Sequence, residues 1–182
     1  VSRDFWFEIW IDLDGREVRG DELKAVRERE KIFPPPPRTP LDRPWRLKFR
    51  GYEKDPVLTR TAKTDAQGDA SFDFTPERQG YYRVTWNSPD PGAAPIHAET
   101  TVWVATGATT ELGYRHGGLE ILLDKDTFRV GQKAPVMLHV PTNDRYILFG
   151  IEGEDRYNYQ LIHIPGTVKL LELPIEEKHV PN

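Results

Sequence analysis

A chain of 182 residues with 37% hydrophobic and 30% charged side chains and a net charge of −4 reads as soluble and globular, too polar for a membrane span and too mixed in sign for disorder. Acidic and basic residues are interspersed, so there is no electrostatic footprint for nucleic acid. The absence of cysteine removes disulfides, thiol nucleophiles and thiolate metal sites but assigns no redox compartment. The length suits one large domain or two modest ones, and two are expected. Val1 is not a methionine and no signal peptide follows it, so the chain is expected to be a segment of a longer protein whose export signal would lie elsewhere.

In chain order, Phe5, Phe7, Ile9 and Ile11 alternate with Trp6, Glu8 and Trp10, so the first strand carries bulk on both faces and is expected to pack on each side. Asp12-Leu-Asp14-Gly15 is a turn, and the charged residues 17–30 fit either a strand or a short helix. Residues 33–44, "FPPPPRTPLDRP", forbid both ladder and helix and predict an extended, polyproline-type insertion loop. Trp45, Leu47 and Phe49 then alternate with Arg46, Lys48 and Arg50. A meander is expected next: a run at 57–63, a reversal at Asp65-Ala-Gln-Gly68, a strand at 69–75 with Ala70, Phe72 and Phe74 on one side, a turn through Pro76 and Gly80, and a strand carrying Tyr82, Val84 and Trp86. Residues 87–95 form a proline- and glycine-rich turn, and Ile96, Ala98, Thr100, Val102 and Val104 complete a unit over 1–105. About seven antiparallel strands in that length predict a two-sheet sandwich.

Residues 106–118 have the small, polar composition of a linker. Strand runs follow at 119–123, 134–140, 146–151, 157–164 and 168–173, separated by turn signals at Gly131, at Thr142-Asn-Asp144, at Gly153-Glu-Asp155 and at Pro165-Gly166. An antiparallel sandwich needs about seven strands, so the second unit, 119–182, is expected to be truncated at its C-terminal end, leaving an edge or part of a core face uncovered. The fold class expected is all-β: two tandem antiparallel β-sandwich domains, Ig-like or macroglobulin-type.

Side chains capable of chemistry do not converge in the sequence. His97, His116, His139, His163 and His179 show no spacing that offers two nitrogens to one metal; His139 and His163 can meet only across two strands, and the expected metal site is none. Asp12 and Asp14, and Asp124 and Asp126, resemble the opening of a calcium loop without its later ligands, and read as turn carboxylates. Ser2, Ser71 and Ser88 sit in no nucleophile elbow, and no pair of carboxylates stands out as a glycosidase pair. No catalytic or cofactor-binding residue is assigned, and no enzyme activity or cofactor is expected. Residues 34–37 with Arg38 and Pro40 suit a proline-recognition module, but a rigid insertion loop accounts for them more simply. Trp6, Trp10, Trp86 and Trp103 suit sugar stacking or, more simply, core and interdomain packing.

Taken in order, "TDAQGDASFDFTPERQGYYRV", "TTVWVA", "LEILLDKDTFRVGQKAPVMLHVP", "YILFGIEGED" and "LPIEEKHVPN" resemble two successive macroglobulin-type domains of a bacterial alpha-2-macroglobulin, over nearly the whole chain from about Ile9. In that family a domain ending in a "vWV" strand precedes one opening with a leucine-rich strand, an Asp-Lys pair, an aromatic residue and a turning glycine, here Asp124-Lys125, Phe128 and Gly131. Pro141 matches the proline closing the next strand. Gly153 departs from the pattern, which usually has arginine there, and Pro181-Asn182 match the "PN" that normally precedes another strand.

The resemblance implies a scaffold segment of a broad-spectrum endopeptidase inhibitor that traps its target after cleavage of a bait, placed at the cell envelope, whether periplasmic, outer-membrane-anchored or secreted. The partners implied are neighbouring domains of the parent chain and, through the parent, target proteases. The reactive thioester of such proteins needs a Cys-Gly-Glu-Gln motif, so there is no thioester in this segment; no bait stretch is identified. Two rival functions share the same fold and are not separated by it: an Ig-like cell-surface adhesion or polysaccharide-binding module, and the accessory sandwich of a secreted carbohydrate enzyme.

Overall fold

The computed structural model describes residues 1–35, 45–88, 94–152 and 156–179. The core of the insertion loop, the turn at 89–93, the turn at 153–155 and the terminal Pro181-Asn182 lie outside the described residues. The chain is mostly β and antiparallel throughout its ladders. Its elements are β1 (Ser2–Asp12), β2 (Glu17–Arg19), α1 (Gly20–Ile32), β3 (Trp45–Pro56), β4 (Gly80–Ser88), β5 (Ile96–Val104), β6 (Glu120–Leu123), β7 (Lys133–His139), β8 (Arg145–Glu152), β9 (Arg156–Ile164) and β10 (Val168–Pro174), with a 3-10 turn at Glu177–His179.

β1 organises the first sheet. One of its edges pairs with β3 along its whole length, interrupted by a bulge between Ile9 and Trp10. Its other edge is divided between β4, which takes Ser2, Arg3 and Asp4, and β2, which takes Ile9, Trp10 and Ile11. Between them the amide of Trp6 donates to the carbonyl of Gly113 at 2.6 Å, so the strand's polar groups stay satisfied where no neighbouring strand reaches them. β5 continues the sheet beyond β4.

Two expectations for this region are corrected. The ambiguous stretch at 17–30 divides into β2 and α1, so the protein is mostly rather than wholly β. Asp21 and Glu22 in the first turn of α1 and Arg29 and Lys31 in its last turn complement the helix dipole, while Leu23 and Val26 seat it on Val18, Trp45 and Trp10. The runs at 57–63 and 69–75 form no strand, so the described residues of 1–104 hold five strands in one hydrogen-bonded sheet. The reversal at Asp65 does form: its Oδ1 accepts from the amides of Gln67 and Asp69, and Gly68 takes φ +88°. Phe72 and Phe74 alternate inward as their spacing demands, but they pack their rings on Trp86 and Tyr82 of β4. Their alternation records burial of one side, and burial of one side does not require a ladder partner.

The five strand runs expected in the second region all form. β7 lies between β6 and β10 in a three-stranded sheet, and β8 pairs with β9. Val136, Leu138 and Val140 pack on Ile162 and Ile164 of β9, with Ile147 and Phe149 of β8 completing the layer. The opposite side of β7 turns toward the first sheet: Met137 joins Val168 and Leu112 in a cluster flanked by Trp103, Tyr114, Leu122 and Leu170. β7 is therefore buried on both faces, which accounts for its continuous "VMLHV" composition. The two strands of β8 and β9 do not cover all three strands opposite. Ile121 and Leu123 pair with Leu138 and Val136 in register and so share their face, yet each is more than half exposed.

Candidate functional site: the junction of the two sheets

Residues 106–115, which composition assigns to a linker, pack between the sheets. Thr109 and Leu112 are buried. The Thr109 hydroxyl accepts from the amide of Thr106 at 2.7 Å and donates to Gln79 Oε1 at 2.8 Å, fastening the segment to the approach to β4. The carbonyl of Thr110 accepts from the amides of Thr167 and Val168 at 2.8 and 3.1 Å, fastening it to β10. Both attachments need close backbone approach. A Cβ on Gly166 would collide with the Thr110 carbonyl, and Gly113, at φ +72°, leaves no room for one beside Phe5.

A row of rings crosses the junction. Trp6 meets Tyr52 edge-on, Tyr52 leads to Tyr81, Tyr81 touches both Trp103 and Tyr114, and Tyr114 meets the imidazole of His139 at 5.0 Å. Register explains the row: Trp6 faces Tyr52 across β1 and β3, and Tyr81 faces Trp103 across β4 and β5. Burial raises the Tyr81 phenol, and it pushes the Tyr114 phenol up to about 12, reinforced by its bond to Glu120. Both remain neutral donors at any physiological pH. A second polar group ties the segment down: Arg115 Nη1 reaches Glu111 Oε2 at 3.1 Å and Thr167 Oγ1 at 3.0 Å, and Thr167 donates to the same Glu111 oxygen at 2.7 Å. Clefts of about 690 Å³, beside Trp6, Arg115 and Thr167, and about 450 Å³, beside Trp103, Leu122 and Met137, also border the junction.

The structure disperses the residues singled out by sequence. His163 and His139 do not meet: the neighbours of each, Leu138 and Val140 on one side and Ile162 and Ile164 on the other, point into the aliphatic layer between β7 and β9, so the two imidazoles point away from it on opposite sides. His163 bonds Asp144 at 2.8 Å and stacks on Tyr146. His97 pairs with Asn87 and His179 with the amide of Glu176. His116 Nδ1 stands 3.5 Å from Glu120 Oε2. Asp12 Oδ1 accepts from the amides of Asp14 and Arg16, both at 2.9 Å, the work of a turn carboxylate. Lys125 lies over the ring of Phe128. Ser2 donates to Asp4, while Ser71 and Ser88 are exposed. Trp6, Trp103 and Trp10 are engaged in packing, the last under Arg27, and Trp86 meets Phe72. Of the proline segment, residues 36–44 lie outside the described residues. Sequence reasoning missed Glu120, Thr109, Leu112 and Tyr114 as members of one site; the doubly apolar run of β7 was the available signal that something must cover its second face.

No family model matches the chain. It is 23% identical over 127 residues to an alpha-2-macroglobulin homolog from Nostoc sp., a match covering 69% of this chain and 7% of that protein. The similarity is distant and holds at the level of the family, in agreement with the resemblance drawn from the motifs. The chain spans only a small fraction of that relative's length. No helix among the described residues is long and apolar enough to cross a membrane.

Proposed function

We propose that this chain is a scaffold segment of a larger alpha-2-macroglobulin-like endopeptidase inhibitor of the bacterial cell envelope, built as two β-sandwich units, 1–105 and 119–182, joined through 106–118. The observation carrying this reading is the ordered similarity over 127 residues to a bacterial alpha-2-macroglobulin homolog. Local geometry supports the sandwich reading of the first unit. Tyr82 donates its hydroxyl back to the carbonyl of Arg78 at 2.7 Å, the form of a tyrosine corner at the entry to an Ig-like strand. β1 changes partners between its halves and bulges between Ile9 and Trp10, as a strand shared by two layers does.

In the proposed role the segment performs no covalent chemistry. Its junction transmits position, and packed interfaces of moderate size can separate and re-dock when a trap closes. The engagement of Trp6, Trp10 and Trp103 in packing favours this scaffold over a sugar-stacking surface. The uncovered apolar side chains Ile121 and Leu123 support the further proposal that the second unit is completed by strand contributed from outside these residues.

The test compares this chain with the whole polypeptide that contains it. Serine, cysteine and metalloproteases mixed with excess chain should retain full activity on a large protein substrate. The whole polypeptide should protect that substrate while leaving cleavage of a short peptide intact, the signature of steric trapping. Stoichiometric inhibition by the chain alone, or no protection by the whole polypeptide, overturns the reading.

A further inference from the structure

Glu120 of β6 and His139 of β7 are cross-strand partners, and they hold the least satisfied polar atoms of the junction. His139 is fully buried. Its Nδ1 lies 3.6 Å from Glu120 Oε2, beyond a hydrogen bond. Neither ring nitrogen, nor that carboxylate oxygen, nor Trp103 Nε1 across the junction makes a well-formed hydrogen bond, although His116 Nδ1 approaches the same carboxylate oxygen to 3.5 Å and the Tyr114 backbone lies beside the imidazole. Buried polar atoms left in this state cost free energy that the surrounding packing must offset. The groups facing His139 are known from every side. The 112–116 segment supplies Tyr114, whose hydroxyl reaches Glu120 Oε1 at 3.4 Å, with Arg115 and His116; β6 supplies Glu120; β10 supplies only apolar Val168 in register; the first sheet supplies Trp103 and Tyr81 through their contacts with Tyr114.

We propose that this cluster makes the junction proton-responsive: the sheets are docked while His139 is neutral, and protonation of its imidazole at mildly acidic pH loosens the contact between the 112–116 segment and β6, β7 and β10. A cation formed here has lost its water and gains only the Tyr114 backbone and one carboxylate at more than hydrogen-bonding distance, while Arg115 and His116 repel it. Burial accordingly holds His139 below the ordinary histidine value of 6.5, opposed by Glu120 and the Tyr114 backbone and reinforced by Arg115 and His116. A base lowered in the folded state binds fewer protons folded than unfolded, so its contribution to stability is full above about 6.5 and falls as pH drops through that value toward the lower folded one. The inference stands on the packing alone and does not depend on the inhibitor reading.

The experiment follows amide hydrogen exchange in the intact chain at pH 7.5 and 5.5, corrected for intrinsic rates, at Thr167 and Val168, whose amides bond the Thr110 carbonyl across the junction. Protection should fall severalfold on acidification, with about tenfold as the ceiling for one group titrating near 6.5 when unfolded, and His139→Gln should abolish most of that fall. Equal pH dependence in both proteins overturns the proposal. Should the variant not fold, the His139 imidazole of the unaltered chain is titrated by NMR: a midpoint below 6.5 with junction amides losing protection in parallel supports the switch, and a midpoint at or above 6.5, or unchanged protection, overturns it.

Discussion

The first sheet and the aliphatic layer between β7 and β9 are held by opposite chemistry. On the junction-facing side of the first sheet, the fully buried Asp4 accepts from Arg83 Nε at 2.6 Å and from Ser2 Oγ at 2.6 Å, and Arg83 also bonds Glu99. The bond to Asp4 raises Arg83 further above its already high ordinary value. Around that network stand tyrosines and tryptophans. Between β7 and β9 stand Val136, Leu138, Val140, Ile162 and Ile164, with no ion pair among them. Directional groups fix which edge of β1 meets β4, since only one register brings Ser2 opposite Arg83. Aliphatic groups supply burial without direction, and there the register rests on strand alternation and turn geometry.

Four substitutions sharpen that contrast, measured as urea unfolding midpoints with the slope held constant. Leu138→Ala should cost the most, about 2–5 kcal/mol, because the removed atoms leave a cavity at a completely buried site; a loss under about 1 kcal/mol would mean that the layer collapses to fill it. Asp4→Ala should cost about 3 kcal/mol by leaving a partly buried guanidinium without its main partner, at the lower end for a buried pair because Arg83 keeps Glu99. A loss near zero would show that water replaces the carboxylate and that the network contributes only register. Tyr82→Phe removes one hydroxyl bond to Arg78 and should cost about 1 kcal/mol; no change would remove the corner from the argument for a sandwich. Leu148→Ala, at a position 69% exposed on the outer side of β8, should stay within about 0.5 kcal/mol. A larger loss would show that another copy of the chain covers that side in solution.

The second region was more legible in sequence than the first, and the reason is local. Runs at 134–140, 146–151 and 168–173 are bounded by turns whose residues fix both ends, so alternation and pairing coincide. In the first region Phe72 and Phe74 have the same alternation but spend it on rings of β4, and Asp65 turns the chain without a hairpin on either side. α1 was half legible: Asp21, Glu22, Arg29 and Lys31 mark its ends, but only Leu23 and Val26 mark its buried stripe, too few to decide the period against a strand. At the junction, His139 was visible as a strand histidine, whereas its partner Glu120 was one carboxylate among many. Composition made 106–118 a linker because threonine and glycine serve flexible segments and close packing equally well.

By itself the sequence determined the β-rich class, the order of the strands in the second region, the turns at Asp12 and Asp65, and the distant family resemblance, all of which depend on spacing along the chain. Tertiary structure alone decided that β1 divides one edge among β4, Gly113 and β2, that β7 is covered on both sides, and that Glu120, His139, Tyr114 and Trp103 pack against one another at the junction. Those outcomes depend on which distant surfaces meet and how little room a glycine leaves between them, and no period in the chain encodes either.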